Sequence, residues 1–400
     1  MTNNNDKKVL NVPLLRFPEF TEEWKEHCLA EYLDFKNGLN PSANKFGSGI
    51  KFISVMDILN NNFITYDCIR TSVKITPEEQ VAFAVEKGDM LFQRSSETLE
   101  DVGRANVYMD ENPAVFGGFV IRGKKKTEYN PMFFRYLLAS PYARKKIIPM
   151  GAGAQHFNIG QDGLSKVKLH FPILQEQQKI AALLRLIDER ITTQNKIIED
   201  LNKLKSAIIE MEYTHKTKGN THIGDFIEQT SKRNKDSAIQ NVLSVSNSQG
   251  FIQQCEQFEN RSVASDDISN YKIVERNCFA FNPARINVGS IARLTTFNRG
   301  IVSPMYICFR TKDNLFPEYL DYYFESKQFF TEIQKRLEGS VRQCLSYEGL
   351  CNIPLCIPTV EVQQQTGKRL STLVQEIKLE IDFLELLQKQ KKFLLHQMFI

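Results

Sequence analysis

Two stretches of this chain are built on one plan. Residues 171–180 read Phe-Pro-Ile-Leu-Gln-Glu-Gln-Gln-Lys-Ile, and residues 357–366 read Ile-Pro-Thr-Val-Glu-Val-Gln-Gln-Gln-Thr. Pro172 and Pro358 stand 186 positions apart (358 minus 172). The same offset pairs Gln177 with Gln363, Gln178 with Gln364, Gly153 with Gly339, Gly163 with Gly349, Leu164 with Leu350 and Pro131 with Pro317. One offset held over so many Pro, Gly and Gln positions implies a tandem duplication.

Each stretch launches a long helix. In the first, Ile180, Leu184, Ile187, Ile191, Ile198, Leu201 and Ile208 recur in steps of three and four, interrupted by Gln194 and Lys205. In the second, the seam is Leu370, Leu373, Ile377, Leu384, Leu387 and Leu394, interrupted by Glu380 and Lys391 at the same offset. That spacing defines a coiled-coil seam, and polar residues inside it fix register and partner orientation. An ordinary amphipathic core helix is the alternative. The matched interruptions favour two helices that pair with each other. Because each begins where a globular segment ends, they would run antiparallel and relate the halves by an approximate twofold. A helix of about 39 residues measures roughly 58 Å at ~1.5 Å per residue.

The 400 residues suggest two to four structural units, and a net charge of +4 provides no global field toward nucleic acid, so DNA binding would need local basic patches or basic partners. Eight cysteines are scattered without a C-x-x-C pair, which fits reduced, mostly buried thiols and a cytoplasmic location. The polar N-terminus lacks the apolar core of a signal peptide and reads as disordered, and no apolar run approaches the ~18 residues of a membrane span.

Between the launches the chain repeats a plan. Residues 29–35 read as a short helix stopped by Asn37-Gly38, followed by strands at 51–58, 90–93, 104–109 and 115–122. Asn130-Pro131 signals a helix start over residues 132–147, with a break near Ser140-Pro141. The second copy offers a helix at 223–229, strands at 239–246 and 278–281, and a helix opened by Pro317. The plan is kept while the polar loops differ, as expected of two recognition modules aimed at different targets. The order predicts a mixed α/β (α+β) fold with boundaries at residues 1–170, 171–215, 216–356 and 357–400.

With these features in hand, the chain resembles the specificity (S) subunit of type I restriction–modification systems over almost its whole length. The resemblance rests on the doubled launch, the two long helices and the divergent modules. Finer matches are residues 14–20 before Trp24, Arg94-Ser-Ser-Glu-Thr98, and residues 281–290. The second launch departs from the pattern, with Val362 where the first has Glu176, a change expected to weaken one local cap. The resemblance implies a non-catalytic subunit with two target recognition domains, each reading half of a split, asymmetric sequence in double-stranded DNA. It implies docking of two methyltransferase subunits that bind S-adenosylmethionine, and of restriction/translocase subunits that use ATP and Mg. A methylation-only or type II-like complex and a bare coiled-coil scaffold are the alternatives; the scaffold leaves the two large polar-looped modules unexplained.

Base readout needs Arg, Lys, Asn, Gln or Ser at loop tips. The first module offers Asn37, Ser42, Lys45, Arg94, Ser95, Gln155 and Asn158; the second offers Asn282, Arg285, Asn287, Arg342 and Gln343. Lys124, Lys125, Lys126, Arg144, Lys145 and Lys146 are the candidates for phosphate contacts, although runs of charge are more often solvated faces. Enzymatic signatures are missing: no phosphate-binding Gly-x-x-x-x-Gly-Lys-Ser/Thr loop, and no metal-ligand spacing among His and Cys. Phe46-Gly-Ser-Gly49 is too sparse for a methyl-donor loop, and Asn282-Pro283 lacks the aromatic that an adenine methyltransferase carries there. The carboxylates around residues 18–25 are too tightly spaced for a nuclease centre.

Overall fold

The computed structural model describes residues 11–214, 221–247, 249–254, 267–339 and 343–400. The chain divides into two compact units, Met1–Asn195 with Asp382–Ile400, and Lys196–Ile381. Each unit takes a share of both long helices, Leu174–Thr214 and Val360–Gln397.

The first unit is organised by a four-stranded antiparallel sheet in the order Leu33–Asn37, Val120–Lys125, Met90–Gln93, Ala105–Val107. All four residues of Met90–Gln93 are buried, because the sheet has a core on each face. Met90 and Phe92 point into a core shared with Ile180, Leu184, Leu394 and Met398 of the long helices, while Leu91 points into a second core with Ile53 and Phe116. Alternation along a strand delivers successive side chains to opposite faces. The second unit repeats this arrangement with Ile227–Thr230, Ile307–Thr311, Phe279–Phe281 and Ile291–Arg293. There Phe279 and Phe281 share a core with Ile209, Tyr213 and Leu370, and Ala280 faces Leu243 and Val302. Each unit also holds a parallel strand pair, Phe52 beside Val115 in the first and Leu243 beside Val302 in the second.

Several expectations hold at the level of single residues. Asn130 caps the helix Pro131–Ala139 by accepting from the Phe133 amide at 2.9 Å. The expected break falls at Ser140, whose side chain caps the next helix, Pro141–Ile147. Every seam position on both long helices is buried or half-buried, the polar Gln194, Lys205, Glu380 and Lys391 included. Within the first unit, Asp188 near the start of the first helix pairs with Lys391 near the end of the second. Within the second, Glu212 near the end of the first helix meets Arg369 near the start of the second, at 2.8 Å. The two helices therefore run antiparallel.

Other expectations are corrected. The helix foreseen at 29–35 covers only Leu29–Tyr32, and Leu33–Asn37 is a strand. Leu33 and Phe35 alternate with Asp34 and Lys36, so the period-two pattern wins once Val120–Lys125 lies alongside. Gly38 is not a left-handed stop: it lies hard against the backbone of Gly117, where a Cβ would stand 2.1 Å from the Gly117 oxygen. The helix at 223–229 likewise shortens to Ile223–Phe226 before a strand. The strand foreseen at 51–58 starts earlier, at Phe46, and ends at Ile53. Ser54 and Asp57 then form a capping box that starts the helix Val55–Asn60. Among the seven described cysteines only Cys308 is fully buried, and burial pushes its thiol up to about 12.

Candidate nucleic-acid interface

The duplication is clearest in one hydrogen-bond pattern. Gln177 accepts from the backbone N–H of Asn130 at 3.0 Å and donates to the Pro172 carbonyl at 2.9 Å. Gln363 accepts from the N–H of Phe316 at 2.7 Å and donates to the Pro358 carbonyl at 2.9 Å. Donor, acceptor and glutamine all shift by 186. In each unit one side chain thus locks the start of a long helix to the helix that follows the sheet. Gly153 and Gly339 repeat too: both have positive φ, 145° and 104°, and each lies in a loop closed by a bridge, Ala152 with Asn158 and Glu338 with Cys344. A Cβ on Gly153 would stand 2.0 Å from the His156 oxygen, so this turn needs glycine.

These loops carry the candidate readers. In the first unit the residue 94–96 loop and the residue 152–158 loop are paired: Ser95–Ser96 forms a two-residue ladder with Phe157–Asn158. Ser95 donates to the Asn158 side chain, and the Arg94 carbonyl accepts from Ile159 N–H at 2.9 Å. Arg94 itself donates to the Gly118 carbonyl at 3.2 Å. Gln155 is exposed on the same loop. Asn37 adjoins this group through Gly38, whose N–H reaches the Val120 carbonyl at 3.2 Å, and its side chain faces the Gln161 amide. Ser42 and Lys45 lie on a separate turn, Ser42 donating to Asn44 at 2.7 Å and the Lys45 carbonyl accepting from Lys74. The structure therefore brings together Arg94, Ser95, Gln155 and Asn158, with Asn37 at their edge.

In the second unit, Asn282 and Arg285 line a cavity of about 420 Å³ together with Ser246, Asn247, Ser303 and Tyr306. Arg285 is exposed, whereas Asn282 is buried and accepts from the Ala284 N–H at 3.1 Å. Asn282 shapes its own loop. Asn287 is half-buried within the turn Ile286–Val288, which ends on left-handed Gly289. Exposed Gln343 belongs to the neighbouring loop, tied on by Leu345 N–H to the Pro283 carbonyl at 3.0 Å. Arg342 lies outside the described residues.

The basic candidates fare less well. Lys124 pairs with Glu86, Lys125 with Glu128, and Lys126 donates to the Ala30 carbonyl. Arg144 turns inward to the Glu100 and Val102 carbonyls at 2.8 and 2.6 Å, and burial lowers its pKa to about 10. It holds a loop in place. Lys145 and Lys146 remain exposed. The sequence reading missed Phe119 and Met305, both strongly exposed beside the candidate loops. Their signal was an apolar residue in a stretch rich in Gly, Ser and Pro, between two strands. Among the described residues no cluster of His, Cys, Asp and Glu could hold a metal, and no helix is long and apolar enough to cross a membrane.

A duplicated sheet module, latched to paired antiparallel helices and carrying polar loops that differ between copies, defines a two-module protein. A family model describing the type I restriction modification DNA specificity domain matches residues 21–203. The chain is 27% identical over 220 residues to the type I restriction enzyme MjaX specificity subunit of Methanocaldococcus jannaschii, covering 52% of this chain and 51% of that protein. It is 26% identical over 196 residues to the HindI specificity subunit of Haemophilus influenzae, covering 47% and 40%. The matched region thus spans about half the length of the curated relatives or less. Among solved structures, the S subunit of a type I system from M. genitalium superposes with a TM-score of 0.59 at 15% identity, covering 97% of this chain and 99% of that one. A chain from a structure describing assembly and conformational transition of the type I R-M system gives 0.56 at 13%, covering 93% and 96%. Residues 21–203 thus match the type I restriction modification DNA specificity domain, and the chain is similar to type I specificity subunits over about half of its length.

Proposed function

We propose that this chain is the non-catalytic, sequence-reading subunit of a type I complex, with residues 1–170 and 216–356 as its two reading domains and residues 171–215 and 357–400 as the spacer helices. The observation that carries this is the contrast within the duplication. The glutamine latch and the left-handed glycine are repeated at one offset, while the loops they hold differ, Arg94-Ser95 in one copy and residues 282–290 in the other. A constant frame with variable polar loops suits an asymmetric, bipartite target in double-stranded DNA. Arg94, Ser95, Gln155 and Asn158 would read one half-site; Arg285, Asn287, Arg342 and Gln343 the other. Asn37, Ser42, Lys45 and Asn282 have positioning roles, and exposed Lys145 and Lys146 meet phosphates.

Catalysis on this reading belongs to partners: two methyltransferase subunits that bind S-adenosylmethionine, and restriction/translocase subunits that use ATP and Mg, all in the cytoplasm. The test is methylome mapping in cells with and without the chain, alongside assays of the purified chain. Adenine methylation at a split motif should depend on the chain, while the chain alone, given S-adenosylmethionine, methylates and cleaves nothing. Methylation by the isolated chain would replace the adaptor reading with a fused enzyme.

A further inference from the structure

In both units, one connection places an apolar side chain in the middle of the candidate polar surface. In the first unit, residues 117–119 join Val115–Phe116 to Val120–Lys125, and their sequence is Gly-Gly-Phe, so Phe119 is the connection's sole side chain. It is 67% exposed. Its backbone is fixed all the same: the Phe119 carbonyl accepts from Arg94 N–H at 2.8 Å, and the Arg94 guanidinium holds the preceding carbonyl of Gly118. A Cβ on Gly118 would stand 1.9 Å from the Asn40 side chain, so the turn is pressed against the neighbouring loop. In the second unit the corresponding connection, residues 303–306 between Arg299–Val302 and Ile307–Thr311, presents Met305 at 60% exposure, on the cavity that Arg285 and Asn282 line.

Single exposed apolar side chains are common on protein surfaces. Two at the same connection of a duplicated module, each beside the arginine of its polar loop, form a pattern. Donors such as Arg94 and Arg285 match base-edge acceptors. The apolar feature that a base pair offers in the major groove is the C5-methyl group of thymine. Resting on the proposed DNA-reading role, we infer that Phe119 and Met305 are specificity-determining residues, each contacting a thymine methyl in the half-site its module reads.

The test uses the full chain assembled with its methyltransferase partners, on duplexes carrying the mapped target. Each thymine is replaced in turn by deoxyuridine, which removes the methyl alone. Wild type should lose about fourfold in affinity at one such position of the first half-site, the worth of one methyl-sized group returned to water. Phe119→Ala should bind the thymine duplex less tightly and show no further loss with deoxyuridine at that position, whereas Phe119→Leu keeps the sensitivity. Met305→Ala should behave in the same way toward the other half-site. A half-site without any A·T pair, or a wild type indifferent to every deoxyuridine, overturns the inference. So does a Phe119→Ala complex that binds weakly yet stays sensitive to deoxyuridine. Loss of affinity in Phe119→Ala without any deoxyuridine effect in wild type would assign the side chain to insertion between base pairs instead. The wild-type arm keeps the test open even if an alanine variant fails to fold. Failure of the underlying DNA-reading role would look different: the wild-type complex would not prefer its mapped target over a scrambled duplex.

Discussion

Glu176 at the start of the first long helix and Val362 at the start of the second occupy matched positions and meet different surroundings. Glu176 is 1% exposed and accepts from Arg16 through both oxygens, at 2.7 and 2.8 Å, and from the Trp24 indole at 3.2 Å. This pair holds Arg16 in its charged form, raising its pKa. Val362 is 39% exposed. The Glu176 carboxylate is thus engaged by Arg16 and Trp24, and the difference between the launches lies in this anchor as well as in the weaker local cap expected at Val362. Glu176 fastens the N-terminal lead-in, whose Leu15 N–H also reaches the Gln397 carbonyl at 2.9 Å. In the second unit the end of the first long helix takes up that task, with Glu212 meeting Thr366 and Arg369. Tyr213 packs at a tilt against Tyr319 there, at 4.9 Å between ring centroids, as Phe399 does against Phe133 at 5.6 Å in the first unit. The duplication conserved the glutamine latch and released the acid.

The sharpest way to break this comparison is to exchange the two residues. Glu176→Val removes one member of a buried, hydrogen-bonded ion pair and should cost about 3–5 kcal/mol, read by urea denaturation. Val362→Glu adds an acid at a partly open site and should change stability by less than about 0.5 kcal/mol. Equal costs would show that the two launches are anchored alike.

Gln177→Ala and Gln363→Ala probe what is shared. Each leaves a backbone N–H, of Asn130 or Phe316, without its acceptor, so each should cost about 1–3 kcal/mol. Hydrogen exchange at those two amides should accelerate to a similar degree. A large effect in one half and none in the other would mean that the latch is decorative in one copy.

A smaller effect is expected from inserting four residues after Thr193, roughly one helical turn. The helix lengthens by ~6 Å, close to two base-pair steps at ~3.4 Å, and the seam turns by only about 40°. The insertion falls between Asp188, paired with Lys391, and Glu212, paired with Arg369, so both ion pairs cannot keep their present register and some stability is lost. Methylome maps should show the same half-sites with a spacer one or two base pairs longer. An unchanged spacer in an active complex would place the ruler in the partner subunits.

Periodicity, duplication and capping were legible in the sequence because they are local or repeated signals. Each seam residue, the cap at Asn130 and the break at Ser140 follow from spacing and side-chain chemistry alone. Residues 33–37 were misread because a five-residue strand beside a helix start is decided by the neighbour it pairs with, Val120–Lys125, far along the chain. The site was legible only in part. Arg94 and Arg285 sit at loops as anticipated, yet Arg144 and Asn282 turn inward, since a polar residue type does not say whether water or a carbonyl is its partner. Phe119 escaped notice because a search for readers by polarity passes over apolar residues.

The central claim, one module per half-site, is tested most directly in the second unit, where Arg285 and Asn287 lie on one loop away from the latch. The double variant Arg285→Ala with Asn287→Ala is expressed with the methyltransferase partners, and methylated adenines are mapped across the genome. The account predicts that one half of the bipartite motif becomes degenerate, at about 1–3 kcal/mol of lost discrimination per base contacted, while the other half and the spacer stay as in wild type. Equal relaxation of both halves would contradict it.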